Sequence, residues 1–536
     1  MFINVKHAAD LARPFLYMLN DKFPWIKNKG YLHLTPKIDA IRNAKEIILR
    51  VTNPNYILAH SFFPLIHSVI KERRYRRDPQ KNDRRSHTKV KKNVNVSNAK
   101  ERPLHYATHI DALIFGYYAH LLYEKYEEKL KEKDNVGLGD CILAYRKIKH
   151  PSEDRNKSTI DFAHEVFQEV NIRASTNPIT VLKFDITSFF NHMDHKLILS
   201  SWISLFGENG RLPDHHYKIY KAATLFSYIL KDDLRMGQNK RGVRRSEFDE
   251  KKLANIRNKT GVFCFFKSNK DFREAIKSKR LPVYKYPFRK KGKIMGIPQG
   301  LPISAVLANL YLLKFDQEIK KLVDDAGGIY RRYSDDIIVI CNTEDSERIA
   351  NDVREKITHY KVEISSEKTE TFIFKKLDNK ITSIKIENDI QKIGFPLTYL
   401  GFDFFGDRVA IKSANLAKFY RRMIKTVKRK CKYAIAVAAN HPETNPIVFR
   451  RQLYKLYTLQ SLSRTKLRSR TSKLDKNEKG EFDLKSVVID RSFNSNYLSY
   501  VSRAAFIMDD VRIKRQVRRH RLILYQALQK HLKKVE

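Results

Sequence analysis

Two adjacent aspartates stand at the edge of one of the most apolar segments of the chain. Asp335 and Asp336 follow Tyr333-Ser334 and precede a purely aliphatic run at 337–340. Such a run is typical of a strand that is buried on both faces of a sheet. Two carboxylates at the turn into a buried strand would repel each other and would be costly to desolvate, so a bound cation explains them best. We therefore expect a tight turn that carries a cation site.

A second predicted strand, at 181–186, carries its own aspartate where the chain turns away. Asp185 closes an apolar segment there. If this strand and the segment 329–340 are neighbours in one sheet, Asp185 meets the Asp335-Asp336 turn. Three carboxylates can hold two Mg²⁺ ions about 3.5–4 Å apart, an arrangement that stabilises the attacking and leaving oxygens of a phosphoryl transfer. On these residues alone, two unrelated acidic strand ends remain the alternative.

The charge balance predicts a polyanionic partner. The 536 residues include 105 Lys and Arg against 59 Asp and Glu, a formal net charge of +46. Nucleic acid, anionic membrane and acidic proteins all attract such a chain, and among them we favour nucleic acid. The chain has no run of 18 apolar residues, and its start lacks the order of a signal peptide, so we expect a cytoplasmic protein without membrane association. Four widely spaced cysteines predict packed thiols.

Patterning divides the chain into three regions. Residues 1–102 are predicted to be a helical region that ends in a basic arm. Residues 103–405 alternate strands and helices, which indicates an α+β unit with a mostly antiparallel sheet. Its predicted strands lie at 181–186, 329–340 and 397–405. Residues 406–536 are predicted to form a basic helical domain.

Two basic segments are candidates for contacting nucleic acid. The arm at 71–102 holds 13 Lys or Arg against 4 Asp or Glu. We expect a loop or arm there, and a solvated linker and an RNA-contacting arm both remain open because basic runs attract phosphate without sequence preference. Helices predicted at 412–432 and 511–534 combine basic residues with an apolar stripe. In the first of them, the stripe consists of Leu416, Phe419, Met423, Val427 and Cys431.

Five motifs in order resemble those of the reverse transcriptases across the region 103–405. They are Lys183-Phe184-Asp185-Ile186-Thr187-Ser188-Phe189-Phe190, Met295-Gly296-Ile297-Pro298-Gln299-Gly300-Leu301-Pro302-Ile303-Ser304, Tyr333-Ser334-Asp335-Asp336, Val362-Glu363-Ile364 with Glu367-Lys368-Thr369, and Tyr399-Leu400-Gly401-Phe402. The third has the form of the YxDD box of that family. The resemblance implies a right-hand polymerase with fingers, an antiparallel palm sheet and flanking helical regions.

The resemblance also implies a role for each motif residue. Catalysis would rest on Asp185, Asp335, Asp336 and Lys368, the lysine protonating the pyrophosphate leaving group. The two Mg²⁺ ions would be bound at Asp185, Ile186, Asp335 and Asp336. Substrate would contact Phe190, Gln299, Arg146, Lys147 and Tyr333, with Gln299 beside the sugar and Arg146-Lys147 on the triphosphate. Gly300 would let the backbone approach the nucleotide closely.

The architecture resembles the abortive-infection and defence-associated bacterial reverse transcriptases more than other branches. No zinc or HNH nuclease pattern follows the palm motifs, and the Val-Thr-Gly triplet of retron enzymes is absent. The resemblance implies antiphage defence, with deoxynucleotides as substrates, an RNA template that could be a noncoding RNA, a DNA product, and homo-oligomers as an option. The alternatives are a group II intron or retron-type enzyme or maturase, a viral-type RNA polymerase, and a catalytically silent RNA-binding protein.

Overall fold

The computed structural model describes residues 23–532, except for 74–75, 79–83, 92–93, 98, 235–263, 267, 286–287, 291, 442, 444, 460–465, 477–481 and 493–494. In the N-terminal region the elements are α1 (Ala44–Val51), α2 (Pro54–Ala59), β1 (Leu65–Arg73), β2 (Arg76–Asp78), β3 (Arg84–Ser86), β4 (Thr88–Lys91), β5 (Val94–Ser97) and β6 (Ala99–Tyr106). The helices predicted before residue 23 lie outside the described residues.

The basic arm is built from strands, and the prediction of a loop at 71–102 was wrong. β1 pairs with β6 in antiparallel register from Ile66 opposite Tyr106 to Arg73 opposite Ala99, and the hairpins β2–β3 and β4–β5 follow beyond it. Long-range pairing sets these strands, and it leaves little local signal in a segment dominated by charged residues. The predicted boundary at 102 also falls inside β6.

The middle region contributes the elements that surround the site. These are α3 (His109–Lys129), α4 (Leu138–Cys141), α5 (Thr159–Thr176), β7 (Ile179–Asp185), α6 (Phe189–His192), α7 (His195–Phe206), α8 (Asp214–Thr224), β8 (Ser227–Leu230), α9 (Asn269–Lys277), β9 (Tyr284–Lys285), β10 (Arg289–Lys290), β11 (Lys293–Ile294), α10 (Ser304–Tyr311) and α11 (Leu313–Asp325). Local sequence explains where the long helices begin. The Thr108 side chain caps α3, and Ser158 with Asp161 forms a capping box at α5.

The chain continues through the second half of the central sheet. Its elements are β12 (Ile329–Tyr333), β13 (Asp336–Asn342), α12 (Ser346–His359), β14 (Glu370–Leu377), β15 (Lys380–Glu387), β16 (Ile390–Ile393), β17 (Leu397–Tyr399), β18 (Phe402–Phe404) and β19 (Val409–Ile411). The central sheet has the order β12-β13-β7-β14-β15-β16, and every pair is antiparallel. The predicted antiparallel sheet is confirmed.

The central strands are buried on both faces. In β13, Ile337 and Val339 pack into one core with α3, α7, α10 and α11, whereas Ile338 and Ile340 pack into a second core with α5, β17 and β18. This alternation follows from the two-residue period of a strand. It explains why the sequence around the two aspartates is continuously apolar.

The C-terminal region contains a hairpin as well as helices. Its elements are α13 (Ser413–Ala439), α14 (Arg451–Tyr457), β20 (Lys466–Lys476), β21 (Phe482–Ser492), α15 (Tyr497–Ile507), α16 (Arg512–Arg515) and α17 (His520–Leu532). The expectation of an all-helical region after 405 was therefore wrong, since β20 pairs with β21 and β19 completes the sheet of β17 and β18. The helix expected at 511–534 is divided into α16 and α17. Of the helices described, none combines the length and hydropathy needed to span a bilayer.

Candidate active site

Strand register brings the two acidic motifs together. β13 pairs with β7 so that Asp336 lies directly opposite Asp185, and the amide of Ile186 donates to the carbonyl of Asp335 at 3.0 Å. Ser334 adopts a left-handed conformation with φ of 62°, which closes the tight turn between β12 and β13. The turn predicted from the sequence is therefore present, and it meets the end of β7.

A cavity of about 560 Å³ opens over this turn. Among the predicted site residues, Asp185, Ile186, Phe190, Gln299, Asp335 and Lys368 line it. They come from separate parts of the chain, namely the end of β7, the start of α6, the loop before α10, the β12–β13 turn and the turn before β14. The fold therefore gathers in one place residues that the sequence spreads over more than a third of its length.

Charge and burial make the carboxylates of this cavity unfavourable when no cation is present. Burial, together with the nearby Asp185, raises the pKa of Asp335. Burial and then the neighbouring Asp335 raise the pKa of Asp336 to about 6. Lys368 Nζ contacts Asp185 Oδ1 and supplies one counter-charge. Because burial and mutual repulsion both disfavour the ionised aspartates, a bound cation would stabilise them.

The donor chemistry fits a divalent metal at Asp185 and Asp335. Both carboxylates line the cavity, and Ile186 can offer only its backbone carbonyl. Hard carboxylate and carbonyl oxygens are the ligands that Mg²⁺ prefers. Across the described residues, however, no group of three or more His, Cys, Asp or Glu side chains is arranged as a ready metal site. Asp336 is not among the residues that line the cavity, so two aspartates and a backbone oxygen form the fitting set.

The structure does not bring Arg146 or Lys147 to the cavity. Arg146 makes two parallel bonds to Glu127 on α3, at 2.7 and 2.8 Å, and donates to the carbonyl of Ile142 at 2.8 Å. Its side chain is only 9% exposed. The Arg146 guanidinium is thus bound to the partly buried carboxylate of Glu127, and neither Arg146 nor Lys147 lines the cavity in which the predicted triphosphate contact would be made.

Tyr333 supports the site from outside the cavity. It pairs with Asp336 across the β12–β13 turn, and its ring lies 6.4 Å from that of Phe162 on α5. Burial raises the pKa of Tyr333. The predicted contact between Tyr333 and substrate is therefore not seen, and its ring packs on the side of the sheet that faces α5.

Several residues that line the cavity were not among the predicted site residues. Lys100 and Arg102 reach it from β6, and Tyr145 reaches it from the segment after α4. The Tyr145 hydroxyl lies 3.0 Å from Ser334 Oγ, and its φ is 64°. The basic arm had been recognised as a candidate contact, but only the β1–β6 pairing shows which of its residues face the cavity.

Gly300 permits a close approach of the His105 backbone, whereas the sequence predicted a close approach to the nucleotide. A Cβ at Gly300 would lie 2.5 Å from the carbonyl oxygen of His105, and φ at this glycine is +117°. The amide of His105 donates to the carbonyl of Gln299 at 2.8 Å. The glycine thus lets β6 pack directly on the Gln299 loop, which joins two walls of the cavity.

One segment of the sequence matches the model of a known protein family. Residues 266–406 match the family described as "Reverse transcriptase (RNA-dependent DNA polymerase)". The chain therefore carries a reverse transcriptase domain, the domain of RNA-directed DNA polymerases. The matched segment includes Gln299, Asp335, Asp336 and Lys368 but begins after Asp185. No curated protein matches the sequence.

Solved structures give a more distant likeness. Apo telomerase from Candida tropicalis, truncated from its C-terminal domain, is 10% identical with a TM-score of 0.36, and the match covers 70% of this chain and 61% of that one. Telomerase from the same organism in complex with a fragment of telomeric RNA is 12% identical with a TM-score of 0.32, covering 72% of this chain and 53% of that one. This chain thus spans less than two thirds of either structure, and scores this low carry no argument about function.

Proposed function

We propose that this protein is a reverse transcriptase that adds deoxynucleotides to a primer on an RNA template by two-metal phosphoryl transfer. One observation carries the proposal. Asp185 lies outside the matched reverse transcriptase segment, yet it lines the same cavity as Asp335 and is held in register beside the Asp335-Asp336 turn. On this reading the central sheet is the palm, the sheet of β6, β1, β8 and β9 belongs to the fingers, and α13 begins a thumb-like region.

The residues of the cavity suggest how nucleotide addition would proceed. Two divalent cations, when bound by Asp185, Asp335 and the Ile186 carbonyl, would supply Lewis-acid stabilisation of the reacting oxygens. We propose that Lys100 and Arg102, which line the cavity from β6, contact the triphosphate in the role predicted for Arg146 and Lys147. Lys368 carries a proton within reach of the acidic site and can donate it to the departing pyrophosphate.

Phe190 is the proposed sugar gate. It lies five residues after Asp185 and lines the cavity half-buried, whereas Phe189 is buried. Viral-type RNA polymerases commonly have a second acid at this position, which accepts a hydrogen bond within the network that recognises a ribose 2′-OH. A phenyl ring cannot accept that bond and fills the volume of the hydroxyl.

Replacing Phe190 by Val should therefore weaken the preference for deoxynucleotides. A ribonucleotide forced against the ring leaves an unpaired polar group, which costs about 1–3 kcal/mol. At 1.36 kcal/mol per decade, about tenfold to a hundredfold of selectivity should disappear. Incorporation of ribo- and deoxynucleotides on one primer-template measures the ratio, with Phe189→Leu as the control for altered packing. An unchanged ratio in Phe190→Val would exclude the gate.

The exposed face of α13 is the second surface proposed to contact nucleic acid. Phe419, Met423, Val427 and Cys431 are buried, which agrees with the predicted apolar stripe. The opposite face presents Lys418, Arg421, Arg422, Lys425, Lys428 and Arg429 to solvent. A helix with one packed face and one cationic face can follow a phosphate backbone without reading sequence.

Neutralising Arg421, Arg422, Lys425 and Lys428 to Gln should weaken nucleic-acid binding equally for all sequences. For a single strand, the slope of log affinity against log salt should become shallower by about 0.7 for each phosphate that the variant no longer neutralises. The charge-matched control replaces four exposed residues of α11 and α12, namely Lys314, Lys321, Arg348 and Arg354. Equal slopes for the wild type and the α13 variant would show that this face is only solvated.

We further propose that the enzyme acts in the cytoplasm in defence against phage. The support is architectural, since a long helix precedes Ala144-Tyr145-Arg146-Lys147 and a largely helical region follows the matched segment. The test combines two assays of the wild type and of the double variant Asp335→Asn, Asp336→Asn. Purified protein is given Mg²⁺, deoxynucleotides and a primed RNA, and cells that carry the gene are challenged with phage. Protection that survives loss of synthesis would favour an RNA-binding role instead.

A further inference from the structure

A fully buried ion pair lies directly beneath the Asp335 turn. Arg332 on β12 donates two parallel hydrogen bonds to Asp316 on α11, with Nε and Nη2 each 2.6 Å from a carboxylate oxygen. Both side chains are 0% exposed. The Tyr330 hydroxyl also donates to Asp316 at 2.6 Å. A buried pair of this kind is often no more stable than well-packed apolar side chains of the same volume, so stability is a weak explanation for its presence.

The remaining nitrogen of the Arg332 guanidinium binds the turn between β12 and β13. Arg332 Nη1 donates to the carbonyl of Ser334 at 3.1 Å. That carbonyl belongs to the peptide that continues into Asp335, and Ser334 is in the left-handed conformation. The orientation of this peptide sets the direction in which the Asp335 side chain leaves the turn. A guanidinium can satisfy a carboxylate and a third acceptor together in one rigid plane, whereas a lysine ammonium is a point donor on a flexible stem.

The same arginine also fixes the cavity wall that carries Tyr145. The Arg332 carbonyl accepts from the amide of Leu143 at 2.9 Å. Asn309 on α10 connects the two walls. Its Oδ1 accepts from Arg332 Nη1 at 3.5 Å, and its Nδ2 donates to the carbonyl of Ala144 at 2.8 Å. One buried network therefore holds two cavity walls, the Asp335 turn and the Tyr145 segment, in a fixed relation.

We propose that the Arg332–Asp316 pair is a positioning device for Asp335, which acts on nucleotide addition through the Ser334 carbonyl without touching substrate. The inference rests on the proposed function, because it takes Asp335 as a metal-binding aspartate. Partners that orient a metal ligand typically change metal affinity or activity by about 10- to 100-fold when they are removed. The pair should therefore influence the rate far more than it influences folding.

The test replaces the ion pair and its tyrosine partner by apolar side chains in the triple variant Arg332→Met, Asp316→Leu, Tyr330→Phe. We expect its melting temperature to match or exceed that of the wild type, since no buried charge is left unpaired. Its rate of incorporation at saturating nucleotide should fall about 10- to 100-fold, with the KM for nucleotide little changed. Arg332→Lys should show the same loss of rate. Arg155→Lys is its control, because Arg155 also makes two bonds to one aspartate, Asp161 at the start of α5, through Nη1 and Nη2.

A second readout does not depend on activity. Binding of Mn²⁺, followed by electron paramagnetic resonance, should weaken about tenfold in the triple variant. A variant that is as stable as the wild type and keeps both its rate and its Mn²⁺ affinity would overturn the proposal. Failure of both the triple variant and Arg332→Lys to fold would also overturn it, because the pair would then be required for stability. An inactive wild type would contradict the proposed function, and the Mn²⁺ comparison would still decide this inference.

Discussion

The double variant Asp335→Asn, Asp336→Asn should lose nucleotide incorporation by a factor on the order of a thousand, and Asp185→Asn should lose about as much. Removal of the carboxylate charge deletes the cation site while it hardly changes side-chain volume. Several kcal/mol of transition-state stabilisation depend on the metals, and each 1.36 kcal/mol corresponds to one decade of rate. Folding and nucleic-acid binding should remain close to those of the wild type.

The chain offers a matched control for this experiment. Asp324 and Asp325 form another adjacent pair, at the end of α11, and neither lines the cavity. The variant Asp324→Asn, Asp325→Asn therefore loses the same charge at a site without the proposed chemistry. Rates are compared by primer extension, and folding by thermal unfolding. If the Asp335-Asp336 variant retained a rate within tenfold of the wild type, the assignment of the site would be wrong.

Gly296→Ala should be strongly destabilising, because Gly296 packs directly against the backbone of a segment that lines the cavity. Its φ is +76°, and a Cβ there would lie 2.5 Å from the carbonyl oxygen of Asn191. Asn191 and Phe190 line the cavity, and the amide of Ile297 donates to the carbonyl of Phe190 at 2.8 Å. The added methyl group therefore pushes directly against the segment that holds the proposed sugar gate.

Gly394→Ala is the control that isolates this clash. Gly394 has a nearly identical φ of +75°, but a Cβ there has no other atom within 4 Å. Both variants share the left-handed strain, so their difference reports overpacking, which typically costs about 1–3 kcal/mol. We expect Gly296→Ala to lose that much more stability in urea unfolding, together with most of its activity. If the two variants lost equal free energies of unfolding, the Asn191 backbone would be able to shift without destabilising the protein.

Sequence reasoning succeeded where local pattern and buried strands coincide. The aliphatic run after Asp336 and the apolar segment before Asp185 predicted two buried strands, and the pairing of these strands, which the sequence left as a condition, is present in the structure. Apolar runs of this kind can be recognised without knowledge of distant residues.

Sequence reasoning was weaker for residues whose partners lie in other elements of the fold. Arg146 was assigned to substrate because nothing in its own motif indicates that Glu127, on the preceding helix, binds it. Lys100 and Arg102 were indistinguishable from the rest of the basic arm until the β1–β6 register placed them at the cavity. The β20–β21 hairpin was missed because charged residues obscured its alternation. The partners of Arg146, Lys100 and Arg102 lie in other elements of the fold, and local propensity does not encode such pairing.

The proposed function requires the protein to copy an RNA template into DNA at the Asp185–Asp335 cavity. The decisive experiment uses four primed RNA templates that differ only in the first unpaired base. Each template is incubated with Mg²⁺ and with one of the four deoxynucleotides at a time. We expect each template to direct addition of its complementary deoxynucleotide alone, and the Asp335→Asn, Asp336→Asn variant to add it on the order of a thousand times more slowly. Addition that is independent of the template base, or a wild type that adds nothing on any of the four templates, would contradict the proposed function.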